Sequence, residues 1–147
     1  MQELLKQSNV EWEPSLEEYD PQISVKVWKE LLGNKKVFNE NSLTVISRIM
    51  VLEGTATCKQ LADRFGKTYR SYNRVFTALA KRVWQETNCP MPPKRANEKI
   101  RYLAVLFVMR KVKGNDGVWE LKLREELREA LLGSGFPFKE DIKLLQK

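Results

Sequence analysis

The feature that most constrains the fold is a pair of helical segments with almost no chain between them. Thr57 is a good N-cap for the first segment, and Gly66 stands where a left-handed residue commonly ends a helix. Only Lys67 and Thr68 separate it from the second segment. Thr68 is again a capping residue, and the second segment is strongly helical from Tyr69 to about Glu86. The length and the turn chemistry of this pair predict a helix-turn-helix.

Two further helices are predicted before this pair. Ser24 caps a short first helix that ends at Gly33, and a second helix starts near Asn41 and ends at Gly54. The segment from Thr55 to Thr57 is too short for a helix and is a candidate for one small strand.

The periodicity changes after the proline-rich run at residues 90–93, which cannot continue a helix. Arg101 to Val112 is rich in Tyr, Val, Leu and Phe, and Val118 to Lys122 is a second short β run. Residues 113–117 between them have turn chemistry, so we predict a β-hairpin. A last helical segment, Glu125 to Leu132, stops at the glycine that follows it.

This order of elements predicts a mainly α fold with a small β-hairpin, namely a winged helix-turn-helix with one additional N-terminal helix. The length of 147 residues suits one domain with short flanking segments. We expect an acidic N-terminal arm over residues 1–23, the winged helix-turn-helix domain over 24–133, and a C-terminal tail or linker over 134–147.

Charge is unevenly distributed along the chain. The formal net charge is +7, but the first 20 residues carry six acidic side chains and one basic side chain. That segment therefore has a charge of −5, and the remaining chain has +12. A body this basic favours a polyanionic partner.

The long helix of the pair has the composition of a DNA-reading helix. Between Arg64 and Gln85 there are six basic residues and no acidic one, whereas a merely solvated helix usually mixes both signs. Arginine can bond bidentately to guanine and asparagine to adenine, and hydroxyls and lysines can hold phosphates. We predict DNA contacts from Lys67, Tyr69, Arg70, Asn73, Arg74, Thr77 and Lys81.

The hairpin region is also basic, with Glu98 as its nearby acid. A hairpin with such flanks commonly lies along the phosphate backbone. Arg101 belongs to this basic region, and the predicted DNA contacts in it are Lys94, Arg95, Lys99, Arg110, Lys111 and Lys113.

Several kinds of catalytic chemistry are disfavoured. The chain has no histidine, so imidazole-based nucleophilic systems are excluded, and Cys58 and Cys89 cannot supply a four-thiolate zinc site. Asp116, Glu120 and Lys122 resemble the acid, Glu-x-Lys pattern of metal-dependent nucleases, but Asp116 lies too close to Glu120 for the usual separate strand. We therefore expect no enzyme activity of the chain by itself, no cofactor and no metal.

The longest apolar stretch, Leu103 to Met109, is far shorter than the roughly 20 residues that a membrane-spanning helix needs. The N-terminus also lacks the pattern of a signal peptide. The expectation is a cytoplasmic protein with reduced thiols and no membrane partner.

Short segments spread over residues 19–132 also match a known family. They are Tyr19-Asp20-Pro21-Gln22-Ile23-Ser24, Asn41-Ser42-Leu43, Ala56-Thr57-Cys58-Lys59-Gln60-Leu61-Ala62, Leu79-Ala80-Lys81-Arg82-Val83, Cys89-Pro90, Arg101-Tyr102 and Val105-Leu106-Phe107-Val108. These segments resemble the N-terminal region found ahead of the motor domain in some McrB-like, modification-dependent restriction proteins.

The resemblance implies a DNA-recognition domain of a bacterial restriction or phage-defence system. In that family an AAA+ motor and a partner nuclease do the cutting, while the N-terminal domain recognises double-stranded DNA, often modified. This chain has neither motor nor nuclease motifs. The expected partners are therefore double-stranded DNA, modified or not, an AAA+ motor and a nuclease subunit.

Two alternatives stay open at this point. One is a protein-interaction module on a winged-helix scaffold, in which the acidic arm or the last helix docks another subunit. The other is a nuclease that uses Asp116, Glu120 and Lys122.

Overall fold

The computed structural model describes residues 12–94, 100–112 and 118–135. Over these residues the protein is mainly helical, with a small three-stranded antiparallel sheet. The elements in chain order are α1 (Val25–Leu32), α2 (Glu40–Val51), β1 (Thr55–Thr57), α3 (Cys58–Phe65), α4 (Tyr69–Thr87), a 3-10 turn (Tyr102–Val105), β2 (Phe107–Lys111), β3 (Trp119–Leu123) and α5 (Glu125–Gly133).

The predicted helix caps are confirmed where they were assigned by residue type. The side-chain oxygens of Ser24 and Thr68 accept hydrogen bonds from the backbone N–H groups three residues on, at 3.2 and 3.1 Å. Thr57 and Gln60 form a reciprocal capping box with distances of 2.9 and 2.8 Å. These caps fix where α1, α3 and α4 begin.

The turn between α3 and α4 is held by side chains as well as by its glycine. Gly66 and Lys67 both have positive φ, 87° and 70°. The Tyr72 hydroxyl donates to the carbonyl oxygen of Gly66 at 2.9 Å, and Arg48 of α2 donates to that hydroxyl at 2.9 Å. These two hydrogen bonds connect the α3–α4 turn to α2.

The sheet has the order β1-β3-β2, so β3 lies in the middle although it is last in sequence. Ala56, Leu121 and Met109 stand opposite one another across the three strands and are buried. Because side chains alternate along a strand, Arg110 and Glu120 point to the other face. One face thus packs on the helices and the other carries charged groups.

One part of the predicted hairpin is wrong. The sequence predicted β structure from Arg101 onward, but Tyr102–Val105 forms a 3-10 turn and β2 begins only at Phe107. Ala104 and Val105 are fully buried. A strand would place one of two successive residues on each face, whereas the turn directs both into the core against α4.

The arm from residue 12 to residue 23 packs on the body. Tyr19 and Ile23 belong to the core, and the Tyr19 hydroxyl donates to the carbonyl oxygen of Pro90 at 2.8 Å. Glu13 exchanges two backbone hydrogen bonds with Met109, at 2.8 and 2.7 Å, along the outer edge of β2. The arm therefore covers a strand edge that would otherwise be open on that side.

The core extends from α1 to α5 around α4. Trp28, Tyr72 and Phe76 are almost completely buried, and the Phe76 and Phe107 rings meet edge to face at 5.1 Å. Trp84 and Trp119 are only half-buried and pack at its rim. Within the described ranges, no helix combines the length and the apolar character needed to cross a bilayer.

Candidate nucleic-acid interface

The interface begins with the exposed side of α4. Arg70, Arg74 and Lys81 are exposed, on the side of the helix away from the buried Tyr72 and Phe76. The helical repeat of 3.6 residues places these three cations in one row. The structure therefore presents these three cations together on the exposed side of α4.

A groove of about 1100 Å³ lies between α4 and the hairpin. Its floor includes the buried side chains of Met109 and Leu121. Tyr102 and Trp119 also line it, and the exposed side of α4 from Tyr69 to Lys81 forms the other wall. The groove is thus apolar at its base and basic along the helix.

Five lysine and arginine side chains line this groove. They are Lys59, Arg70, Arg74, Lys81 and Arg101. Across the described residues that line it there is no acidic side chain. The positive electrostatic potential of a groove lined by these cations concentrates anions near it.

The predicted contacts outside β2 separate into three groups. Those that line the groove together are Tyr69, Arg70, Asn73, Arg74, Thr77 and Lys81. Lys67 is exposed in the turn before α4, and Lys94 is exposed where it pairs with Ile100. The predicted contacts Arg95, Lys99 and Lys113 lie outside the described residues.

The two predicted contacts on β2, Arg110 and Lys111, point to opposite faces of the sheet. Lys111 is on the groove face, with its Nζ 5.6 Å from the centre of the Trp119 ring. Arg110 is on the other face, where its Nε donates to Glu120 at 2.8 Å and its guanidinium lies 4.2 Å from the Trp12 ring. The structure therefore does not bring Arg110 together with the α4 row.

Aromatic rings hold several of the cations in place. The Arg101 guanidinium lies 4.9 Å from the centre of the Trp119 ring, and Lys81 Nζ lies 5.1 Å from that of Tyr102. Contacts of this type are worth roughly 0.5–1 kcal/mol at exposed sites. They restrict the cations to the wall of the groove, so less freedom is lost when an anion binds.

No protein-family model, no curated protein and no solved structure matches the chain. The DNA-binding proposal below therefore depends on the geometry and the charge of the described residues.

Four basic or aromatic groove residues were not among the predicted contacts: Lys59, Arg101, Tyr102 and Trp119. The basic run after residue 93 could have indicated Arg101, and strand alternation could have placed Trp119 beside Lys111. Lys59 has an acidic partner, Asp63, four residues later on the exposed side of α3, at 3.4 Å. Its segment therefore does not stand out in the sequence as a basic one.

The structure describes Cys58 and two of the three residues of the nuclease pattern. Burial raises the pKa of the Cys58 thiol to about 11, so this groove residue stays protonated and is a poor nucleophile. Glu120 is paired with Arg110, and Lys122 Nζ lies 5.4 Å from the Trp12 ring. Asp116 lies outside the described residues.

Proposed function

We propose that this chain binds double-stranded DNA as a winged helix-turn-helix module. In this proposal α4 enters the major groove and the hairpin lies along the phosphate backbone. The observation that carries it is the acid-free cationic row of α4 facing an open groove whose other wall is the hairpin. The strand order β1-β3-β2, with the hairpin following the helix pair, supports the winged-helix arrangement.

The number of groove cations sets the size of the expected electrostatic effect. Each phosphate neutralised contributes a slope of about −0.9 to the plot of log affinity against log salt concentration. With four or five such contacts, the slope is between about −3.6 and −4.5. Affinity then falls roughly 250-fold between 50 and 200 mM salt.

A double substitution on α4 tests the role of the cationic row. We expect Arg70→Ala/Arg74→Ala to weaken binding to a short duplex by about tenfold or more, because each arginine contributes a phosphate or base contact. The matched control is Lys35→Ala/Lys36→Ala, which removes the same charge from the exposed loop between α1 and α2. Fluorescence anisotropy at fixed salt measures both, and an equal loss in the two variants would refute the assignment to α4.

We further propose that the module serves a restriction or phage-defence system, in which an AAA+ motor and a nuclease act on the DNA it recognises. The resemblance of its segments to the N-terminal region of McrB-like proteins supports this context. Paired duplexes with and without methylated cytosine test it, since a recognition domain for modified DNA binds the two with different affinity.

A protein-interaction role is the second candidate because the floor of the groove is apolar. Met109 and Leu121 could receive an apolar side chain of another subunit as readily as they could underlie DNA. Association of that kind is driven by apolar burial and changes little with salt. The salt dependence of binding therefore separates the two candidates.

A further inference from the structure

The docked arm places a carboxylate beside the cationic groove. The two backbone hydrogen bonds between Glu13 and Met109 hold Glu13 against the edge of β2. Its Oε1 lies 3.1 Å from Nη1 of Arg101. Since residues paired across strands share a face, the Glu13 side chain lies on the groove face with Met109.

The Arg101 guanidinium is fixed on its other side. It stacks on the Trp119 ring at 4.9 Å, and only 16% of its side chain is exposed. Glu13 is half-exposed, with 50% of its side chain accessible. The carboxylate can therefore leave into solvent while the guanidinium stays on the tryptophan.

We propose that Arg101 is a phosphate-binding residue of this interface and that Glu13 competes with nucleic-acid phosphate for it. This inference rests on the proposed DNA-binding function. Carboxylate and phosphate oxygens are alternative acceptors for the same guanidinium donors. The arm supplies its carboxylate from the same chain, so its effective concentration at Arg101 is high.

Other contacts keep this competitor in place. Tyr19 is buried and bonded to Pro90, and Trp12 lies over Arg110 on the far face of the sheet. The arm therefore stays anchored on both sides of Glu13 when the carboxylate is displaced. Phosphate can therefore displace the Glu13 carboxylate by a rotation of the Glu13 side chain alone, while the two backbone hydrogen bonds between Glu13 and Met109 stay intact.

The test is Glu13→Gln, which removes the charge and keeps the shape and the backbone pairing of the arm. The ion pair is partly exposed, so its loss is expected to raise duplex affinity by about two- to fivefold. Arg101 then releases one more counterion from the DNA, and the salt slope becomes steeper by about 0.9. Glu17→Gln is the matched control, because Glu17 is exposed on the same arm and the substitution removes the same charge.

A variant that already lacks Arg101 tests whether the gain in affinity from Glu13→Gln depends on Arg101. With Arg101→Gln already present, Glu13→Gln is expected to leave affinity unchanged, and circular dichroism checks that each variant is folded. Equal gains from Glu13→Gln and Glu17→Gln, or a gain that persists without Arg101, would overturn the competition. No gain from Glu13→Gln in a protein whose binding still depends on Arg70 and Arg74 would overturn this inference alone. Absence of duplex binding in both wild type and Glu13→Gln would overturn the DNA-binding function with it.

Discussion

The phenolic hydroxyl of Tyr72 joins α2 to the turn between α3 and α4. It donates to the Gly66 carbonyl and accepts from Arg48, both at 2.9 Å. The Arg48 guanidinium also lies 5.8 and 5.9 Å from the centres of the Phe65 and Tyr72 rings. One buried side chain thus orients the helix that carries the cationic row.

Tyr72→Phe is expected to lower the free energy of unfolding by about 1–3 kcal/mol, since it leaves a carbonyl and a guanidinium N–H without this partner. Chemical denaturation measures the change. Tyr69→Phe is the control, because Tyr69 is 53% exposed and its hydroxyl can bond to water. A loss as large at Tyr69 as at Tyr72 would contradict the buried-hydroxyl account.

Among the elements, the α3–α4 turn depends on backbone geometry more than on space. Gly66 has φ 87° and ψ −175°, a conformation that is essentially restricted to glycine. A Cβ added there meets no atom within 4 Å. The constraint is therefore conformational strain and not a steric clash with neighbours.

Gly66→Ala is expected to destabilise the fold by about 1–3 kcal/mol through that strain. Gly33→Ala provides the comparison, since Gly33 has φ −82° and ψ −6°, which alanine adopts without strain. Thermal unfolding of the two variants separates the effects. Similar melting temperatures for both would show that the turn does not need a glycine at residue 66.

The elements that the sequence predicts well are those with local signals. The caps at Ser24, Thr57 and Thr68 depend on side chains and N–H groups only three residues apart, so a single sequence contains the information. The start of α2 is less well defined, because Asn39 and Asn41 are both plausible caps and the fold uses Asn39. The Tyr102–Val105 turn depends on packing against α4, which no local pattern encodes.

In the candidate site, too, the features with a local sequence signal could be predicted and those that depend on tertiary contacts could not. The α4 row follows from helical periodicity alone, and the structure keeps it intact. Strand alternation predicts that Arg110 and Lys111 point to opposite faces, but only the tertiary register decides which face meets the groove. The contact between Glu13 and Arg101 joins residues 88 positions apart, so it could not be predicted from the sequence.

At the scale of the whole molecule, the acidic arm and the basic body are joined by an ion pair between Glu13 and Arg101. Residues 12–23 of the acidic arm are docked at the edge of the hairpin, and Glu13 pairs with Arg101 beside the basic groove. The +12 formal charge beyond residue 20 is thus partly balanced at one point of the surface. The proposed DNA binding is the exchange of this internal anion, and of counterions, for phosphates.

The measurement that most directly tests this account is the salt dependence of duplex binding by wild type and by Arg70→Ala/Arg74→Ala, followed by fluorescence anisotropy. DNA binding through α4 predicts a slope of about −4 for wild type and a slope shallower by about 1.8 for the double variant, since two phosphate contacts are lost. A wild-type slope shallower than about −1, or one that the double substitution leaves unchanged, would contradict DNA binding through α4.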